Sequence, residues 1–350
     1  MPGWRCASGW IEMGIEPRNI ALDRAKGVCA VLVVLIHAPP LMHSRLPALG
    51  WAGWAVFELC QVAVPFFFLT SGWMMGIKWA AGRTGWNELA RSTSRLARLY
   101  VPWFSLFLLL DVAEGFPQVP WVVLRRFVGF SVSHTETSAY HLWFLPSLIL
   151  AQTVCWILLR STRSAVPSLV CGAVLFSAMY ALEIAGRPLP FRMVANEGLN
   201  LSLPCLSLGI WLGANRFHFI PRGKLVLGSF AILFLEGALL TRCFPGREPV
   251  HTFQFSRLVV PAIGLLWLIA HPNASSGRAL DWILDVLGRH STAIYVAHLA
   301  FLTLIPFDRL IPNGFIRENF IRWPVGVLGS IALSALLKKC PWEPVRRLVA

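Results

Sequence analysis

His37 closes an apolar run, Val28–Ile36, and Lys26 stands eleven residues before it, ~16 Å away along a helix that rises ~1.5 Å per residue. A neutral imidazole accepts a proton near neutral pH and the imidazolium returns it, which suits general acid/base work on a hydroxyl. By itself, the residue reads more readily as a packing or interfacial histidine. A second signal is Arg95-Leu-Ala-Arg98-Leu-Tyr-Val-Pro102. Its two arginines are three apart and share a helix face, where their guanidinium forks can clamp phosphate. Arginines at that place also satisfy membrane topology with no ligand at all.

Three weaker signals follow. Phe66-Phe67-Phe68-Leu69-Thr70-Ser71-Gly72-Trp73 closes a very apolar helix with a small polar pair. Ser71-Gly72 permits close helix approach and a place along a tunnel, and no GxSxG context makes Ser71 a nucleophile. His141-Leu-Trp143-Phe144-Leu145 opens another apolar segment, where Trp and His are common interfacial anchors. Tyr295 and His298, in Ser291-Thr-Ala-Ile-Tyr295-Val-Ala-His298, share a face at i, i+3. Glu58, Asp111, Glu183 and Glu236 also fall within or at the ends of apolar segments, where each is available to orient a histidine or to pair with Arg257. The nine histidines include no HExxH and no i, i+4 pair, so the expected metal complement is none.

The elements that must position these residues are membrane helices. The chain of 350 residues is 56% hydrophobic and only 14% charged, against about 25% charged in a soluble domain. Apolar runs of this length satisfy their backbone most cheaply as helices in a bilayer. Ten spans are expected, near 21–38, 53–76, 99–113, 140–159, 166–185, 197–214, 224–241, 256–271, 282–305 and 323–338, with 116–133 as an alternative re-entrant segment. The fold class is therefore all-α, a polytopic helix bundle. Its expected organisation is an N-terminal extension over 1–19, a transmembrane domain over 20–340 and a tail over 341–350. Placing Lys and Arg by the positive-inside rule puts 19 of them on the side of both termini and 10 on the other, so both ends are expected in the cytoplasm.

Composition also excludes rivals. The net charge of +14 sits in short clusters between apolar runs rather than on one basic face, which argues against nucleic acid. The eight cysteines are dispersed without CxxC spacing, so no disulfide framework is expected. The first eighteen residues lack the apolar core of a cleavable signal, so the first span is expected to be a retained anchor.

Taken in order, these pieces resemble the membrane acyltransferase-3 superfamily, bacterial O-acyltransferases of surface polysaccharides and other sugars. The resemblance rests on Asp23-Arg-Ala-Lys26-Gly27 running into His37, Phe67-Phe68-Leu-Thr-Ser71-Gly72, Arg95-x-x-Arg98 with Pro102, His141-Leu-Trp143-Phe144, Leu203-Pro204 with Gly209, and Ser291 with Tyr295 and His298. It implies ten membrane helices in the bacterial inner membrane and acetyl-CoA as a cytoplasmic acyl donor with no bound cofactor. The acceptor it implies is a carbohydrate hydroxyl on the other side. It implies that His37 is the catalytic histidine and that Arg95 and Arg98 hold the donor, with Lys26 beside them where many members carry Arg. Tyr295, His298, His141, Trp143 and Ser71 are the expected substrate-binding residues. Met13 closely precedes the family-like region, so the first twelve residues read as an extension or a misplaced start. A transporter or flippase is the main alternative from another class, because broken helices and buried charges also describe carriers. An inactive assembly subunit on the same fold is a third.

Overall fold

The apolar segments become helices throughout the computed structural model, which describes residues 19–42, 47–83, 85–113, 115, 123–124, 139–185, 198–215, 219–243 and 254–349. In chain order they are α1 (Ile20–His37), α2 (Pro47–Cys60), α3 (Ala63–Ala80), α4 (Trp86–Ala113), a 3-10 turn (Tyr140–Trp143), α5 (Phe144–Thr162), α6 (Val166–Ile184), α7 (Leu199–Ala214), α8 (Gly223–Cys243), α9 (Ser256–Ala270), α10 (Arg278–Leu304), α11 (Arg322–Lys339) and a short α12 (Glu343–Arg346). No strand occurs among the described residues. The protein is an all-α membrane bundle. Ala48–Ala80, Trp86–Ala113, Tyr140–Thr162, Gly223–Cys243 and Gly314–Lys339 are each long and apolar enough to cross a bilayer. Val166–Leu182, Leu199–Ala214 and Ser256–Ala270 are shorter apolar helices. Val170, Val174, Leu227, Leu235, Leu239, Leu328 and Leu336 are exposed on this bundle, as side chains facing lipid must be.

Each of the ten expected segments contains a helix, but three differ in shape. The segment near 53–76 breaks into α2 and α3 at Gln61–Val62. Pro65 is the cause, since its ring would collide with the Gln61 carbonyl in a continuous helix. The chain there tightens into i→i+3 bonds, Gln61 N–H to Glu58 O at 3.2 Å and Val62 N–H to Leu59 O at 3.3 Å. Because α3 continues to Ala80, Ser71-Gly72 lies inside it rather than at the end of a helix. The third segment begins thirteen residues early, at Trp86, because α4 continues through its charged first half. There Leu89 is buried and Leu96 packs on the core, while Arg91, Arg95 and Arg98 are exposed. The fourth opens with the 3-10 turn. Of the alternative segment 116–133, all but 123–124 lies outside the described residues, as do residues 1–18 of the expected N-terminal extension.

Two close crossings hold the frame. In α3 and α7, Gly72 and Gly76 face Gly209 and Gly213, a reciprocal small-xxx-small seam. A Cβ on Gly72 would fall onto the Leu206 carbonyl oxygen, and one on Gly209 onto the Leu69 carbonyl oxygen. Neither can move without moving its helix. Gly72→Leu is therefore expected to cost at least about 3 kcal/mol by overpacking. Gly264→Leu on α9, where a Cβ meets nothing within 4 Å, should be nearly silent. Thermal denaturation of the two variants in detergent measures the difference. The second crossing joins α1 to α10, where Gly27 meets the Leu287–Gly288 backbone. Arg24 ties the same pair of helices, with Nη1 on Asp281 at 2.9 Å and Nε on Asp285 at 2.7 Å.

Two of the intramembrane carboxylates have structural partners. Glu58 of α2 accepts from Arg257 of α9 through both oxygens, with Nη2 at 3.0 Å from each and Nε at 3.3 Å from Oε1. Glu236 of α8 reaches the start of α9, accepting from the backbone N–H of Phe255 at 3.0 Å and of Ser256 at 2.8 Å. Those N–H groups have no intrahelical partner, so the carboxylate caps α9 from a neighbouring helix. The side chain of Glu183 lies outside the described residues.

Candidate active site

α1 and α10 run the same way, so the ends of both helices that carry His37 and His298 lie together. The two rings stack, with centroids 5.2 Å apart and planes at 22°. The 3-10 turn supplies the remaining members. Tyr140 Oη lies 3.0 Å from His37 Nδ1. His141 sits edge-on to His298 at 5.0 Å and to His37 at 6.4 Å. Three imidazoles and two tyrosine hydroxyls thus gather where α1, α10 and the turn meet.

Hydrogen bonding fixes the tautomers of the two buried rings. His298 Nδ1 is 2.9 Å from Ile294 O and 2.8 Å from Tyr295 O, so Nδ1 carries the proton and donates to carbonyls of its own helix. Its Nε2 is then an acceptor, fully buried and without a hydrogen-bond partner among the described residues. His141 Nε2 donates to Val296 O at 3.1 Å. The Tyr295 hydroxyl donates to His141 O at 2.6 Å, which locks the turn onto α10. His37, by contrast, is only half-buried and is oriented by Tyr140.

A cavity of about 940 Å³ lies on the Lys26 side of this cluster. Lys26 of α1, Lys78 of α3, Arg83 of the link between α3 and α4, Arg95 and Arg98 of α4, and Arg347 line it, against Asp23 and Glu88 as the acidic residues. Asp23 lies 3.6 Å from Lys26 and Glu88 lies 3.7 Å from Lys78, so the excess of positive charge belongs to the arginines. Arg98 is exposed and its Nε donates to Ser94 O at 3.2 Å. The walls lose their charge along each helix in the direction of His37, through Met75, Met74 and Ser71 on α3 and through Ser291 and Thr292 on α10. Phe67, Phe144 and Tyr295 mark the inner end. Phe144 packs on Phe67 at 5.9 Å and on Tyr295 at 5.5 Å, and Tyr295 is one helical turn from His298.

Of the residues singled out in the sequence, the structure joins Lys26, Arg95, Arg98, Ser71 and Tyr295 in one cavity, and His37, His141 and His298 in one cluster beyond it. Trp143 stands apart and packs against Phe68 of α3 at 6.1 Å. Tyr140 was not legible as a site residue. The signal for it was its scarcity, since the chain has only four tyrosines and this one adjoins His141. Gln152, which accepts from Ser92 Oγ at 3.0 Å in the cavity wall, carried no sequence signal.

A bundle of apolar helices with an imidazole cluster beyond the inner end of a basic cavity defines a helical membrane protein with an internal site. Residues 19–339 match the acyltransferase domain family, and the chain belongs to that family, the membrane acyltransferase-3 proteins. The inner membrane protein YcfT of Escherichia coli (strain K12) is 20% identical over 329 residues, covering 88% of this chain and 85% of that protein. An amino-acid racemase of Enterococcus faecalis is 24% identical over 144 residues, 41% of this chain. The chain spans about a fifth of the racemase's length, 19%.

Proposed function

We propose that the protein is an inner-membrane O-acyltransferase that moves an acetyl group from acetyl-CoA to a carbohydrate hydroxyl, with both termini in the cytoplasm. The observation that carries this reading is the continuity of the site. One cavity begins among Lys26, Arg95 and Arg98 and ends at Tyr295, one turn of α10 from the ring stacked on His37. Guanidinium forks suit the donor's phosphates, and the Met- and aromatic-lined walls suit its pantetheine arm. The volume, about 940 Å³, lies at the upper end of the range for small-molecule and cofactor sites.

His37 does the chemistry. The mechanism uses the tautomer whose Nδ1–H faces the Tyr140 oxygen, which leaves the lone pair on Nε2. Nε2 takes the proton of the acceptor hydroxyl as its oxygen attacks the thioester carbonyl. The C–S bond then breaks, and the imidazolium returns the proton to the departing thiolate. Alternatively, Nε2 attacks the thioester carbonyl and the C–S bond breaks with release of the coenzyme A thiolate. The hydroxyl oxygen then attacks the acetyl-histidine, the N–acyl bond breaks, and the hydroxyl proton passes through Nε2 to the thiolate. Tyr295, His298 and His141 shape the meeting point of donor and acceptor, and Ser71 lines the approach.

The test is transfer of label from acetyl-CoA into the glycan fraction of membranes containing the protein. Label is expected to enter carbohydrate. Arg95→Ala with Arg98→Ala should raise the KM for acetyl-CoA by at least tenfold, as expected when charged hydrogen bonds to an anion are lost. If the protein moves substrate across vesicles but transfers no label, the carrier reading replaces this one.

A further inference from the structure

The segment after α11, expected as a tail, is built into the bundle. Trp103 of α4 donates its indole N–H to Leu348 O at 2.8 Å, a contact that fixes the backbone next to residue 347. Val349 is 2% exposed and joins the core cluster, and Leu348 packs against the same cluster. Arg347, between this anchor and α12, lines the cavity shared by Lys26, Arg95 and Arg98. Its Nε donates to Glu343 at 3.1 Å, and Nη2 contacts the same carboxylate oxygen, so one edge of the fork is held from within the segment. The same hydrogen bond keeps the Glu343 carboxyl below the usual carboxylate range, and the brace stays charged at neutral pH. The side chain is still 52% exposed. The family match ends at residue 339, so nothing in that assignment covers this segment.

We propose that Arg347 is a further anion-binding residue of the cavity, carried by a fixed wall, Glu343–Val349, and that it contacts a phosphate of the nucleotide end of the acyl donor. A guanidinium held on one edge by a carboxylate and anchored through Leu348 and Val349 is pre-aimed, which lowers the ordering cost of gripping an anion. The inference rests on the cavity being the donor site.

Coenzyme A alone, titrated into the purified full chain in detergent, tests it. Arg347→Ala should weaken binding about tenfold, the scale of a lost charged hydrogen bond at a half-exposed position. Arg347→Lys should recover part of that loss, because the charge returns without the fork. In acetyl transfer the loss should fall on KM for acetyl-CoA rather than on kcat. If Arg347→Ala does not accumulate, Arg347→Gln keeps the volume and some hydrogen bonding without the charge, and the same weakening is expected. Wild-type affinity in either neutral variant, alongside weakened binding in Arg95→Ala, would overturn the role of Arg347 and leave the donor site intact. If wild type itself does not bind coenzyme A, the donor reading fails and the inference falls with it.

Discussion

His37→Ala is expected to abolish acetyl transfer, with a rate loss of about 10²–10⁴ for a positioned base, while the variant accumulates in membranes like wild type. The ring is half-buried at the end of α1, and the helix is held elsewhere, by Arg24 on Asp281 and Asp285 and by the Gly27–Gly288 crossing. Removing it therefore subtracts little from the fold. Tyr140→Phe should act in the same direction but more weakly, by about tenfold, because it deletes the hydrogen bond that orients the ring and leaves the ring in place. Rates are compared at equal membrane abundance. If His37→Ala transfers label as fast as wild type, the base or nucleophile is another group, and His298, whose buried Nε2 faces no hydrogen-bond partner among the described residues, becomes the next to test.

The order of those effects follows from what could be read in one dimension and what could not. Helices were legible because lipid enforces long apolar runs, and each of the ten segments contains one. Ser71-Gly72 was legible as a close approach, since a glycine beside a small residue has little other use in an apolar helix, and Gly72 does face α7. Shape was harder. The break at Gln61–Val62 follows from Pro65, but membrane helices elsewhere in this chain carry Pro102, Pro204 and Pro261 without breaking. The early start of α4 was hidden because hydropathy falls where Arg91, Arg95 and Arg98 begin, although the helix continues with these side chains solvent-accessible, two of them along the cavity. His37 stood out by position alone. Its neighbours did not, because Tyr140 and His298 lie more than a hundred residues further along and meet it only when α1 and α10 pack side by side.

The same limit applied to the buried charges, and there the expected effect on folding is largest. Arg257 was recognisable as a residue needing a partner, but the choice among four carboxylates needed the packing of α2 and α9 on α8. With Glu58 fully buried and the Arg257 side chain 4% exposed, removing either partner strands the other charge in a medium that cannot solvate it. Glu58→Leu and Arg257→Met should each cost about 3–5 kcal/mol, enough to deplete folded protein from membranes. The pair's net worth is a separate quantity, because two desolvation penalties oppose its attraction. Replacing both at once, Glu58→Leu with Arg257→Met, should therefore recover much of the lost stability, whereas two independent losses would add. Thermal denaturation of the four proteins in detergent reads the coupling. Recovery in the double variant, together with transfer activity restored by it, would place the pair in the frame of the bundle. If the double variant is stable but inactive, the charges have a part in the reaction, 199 residues apart in sequence yet joined across α2 and α9.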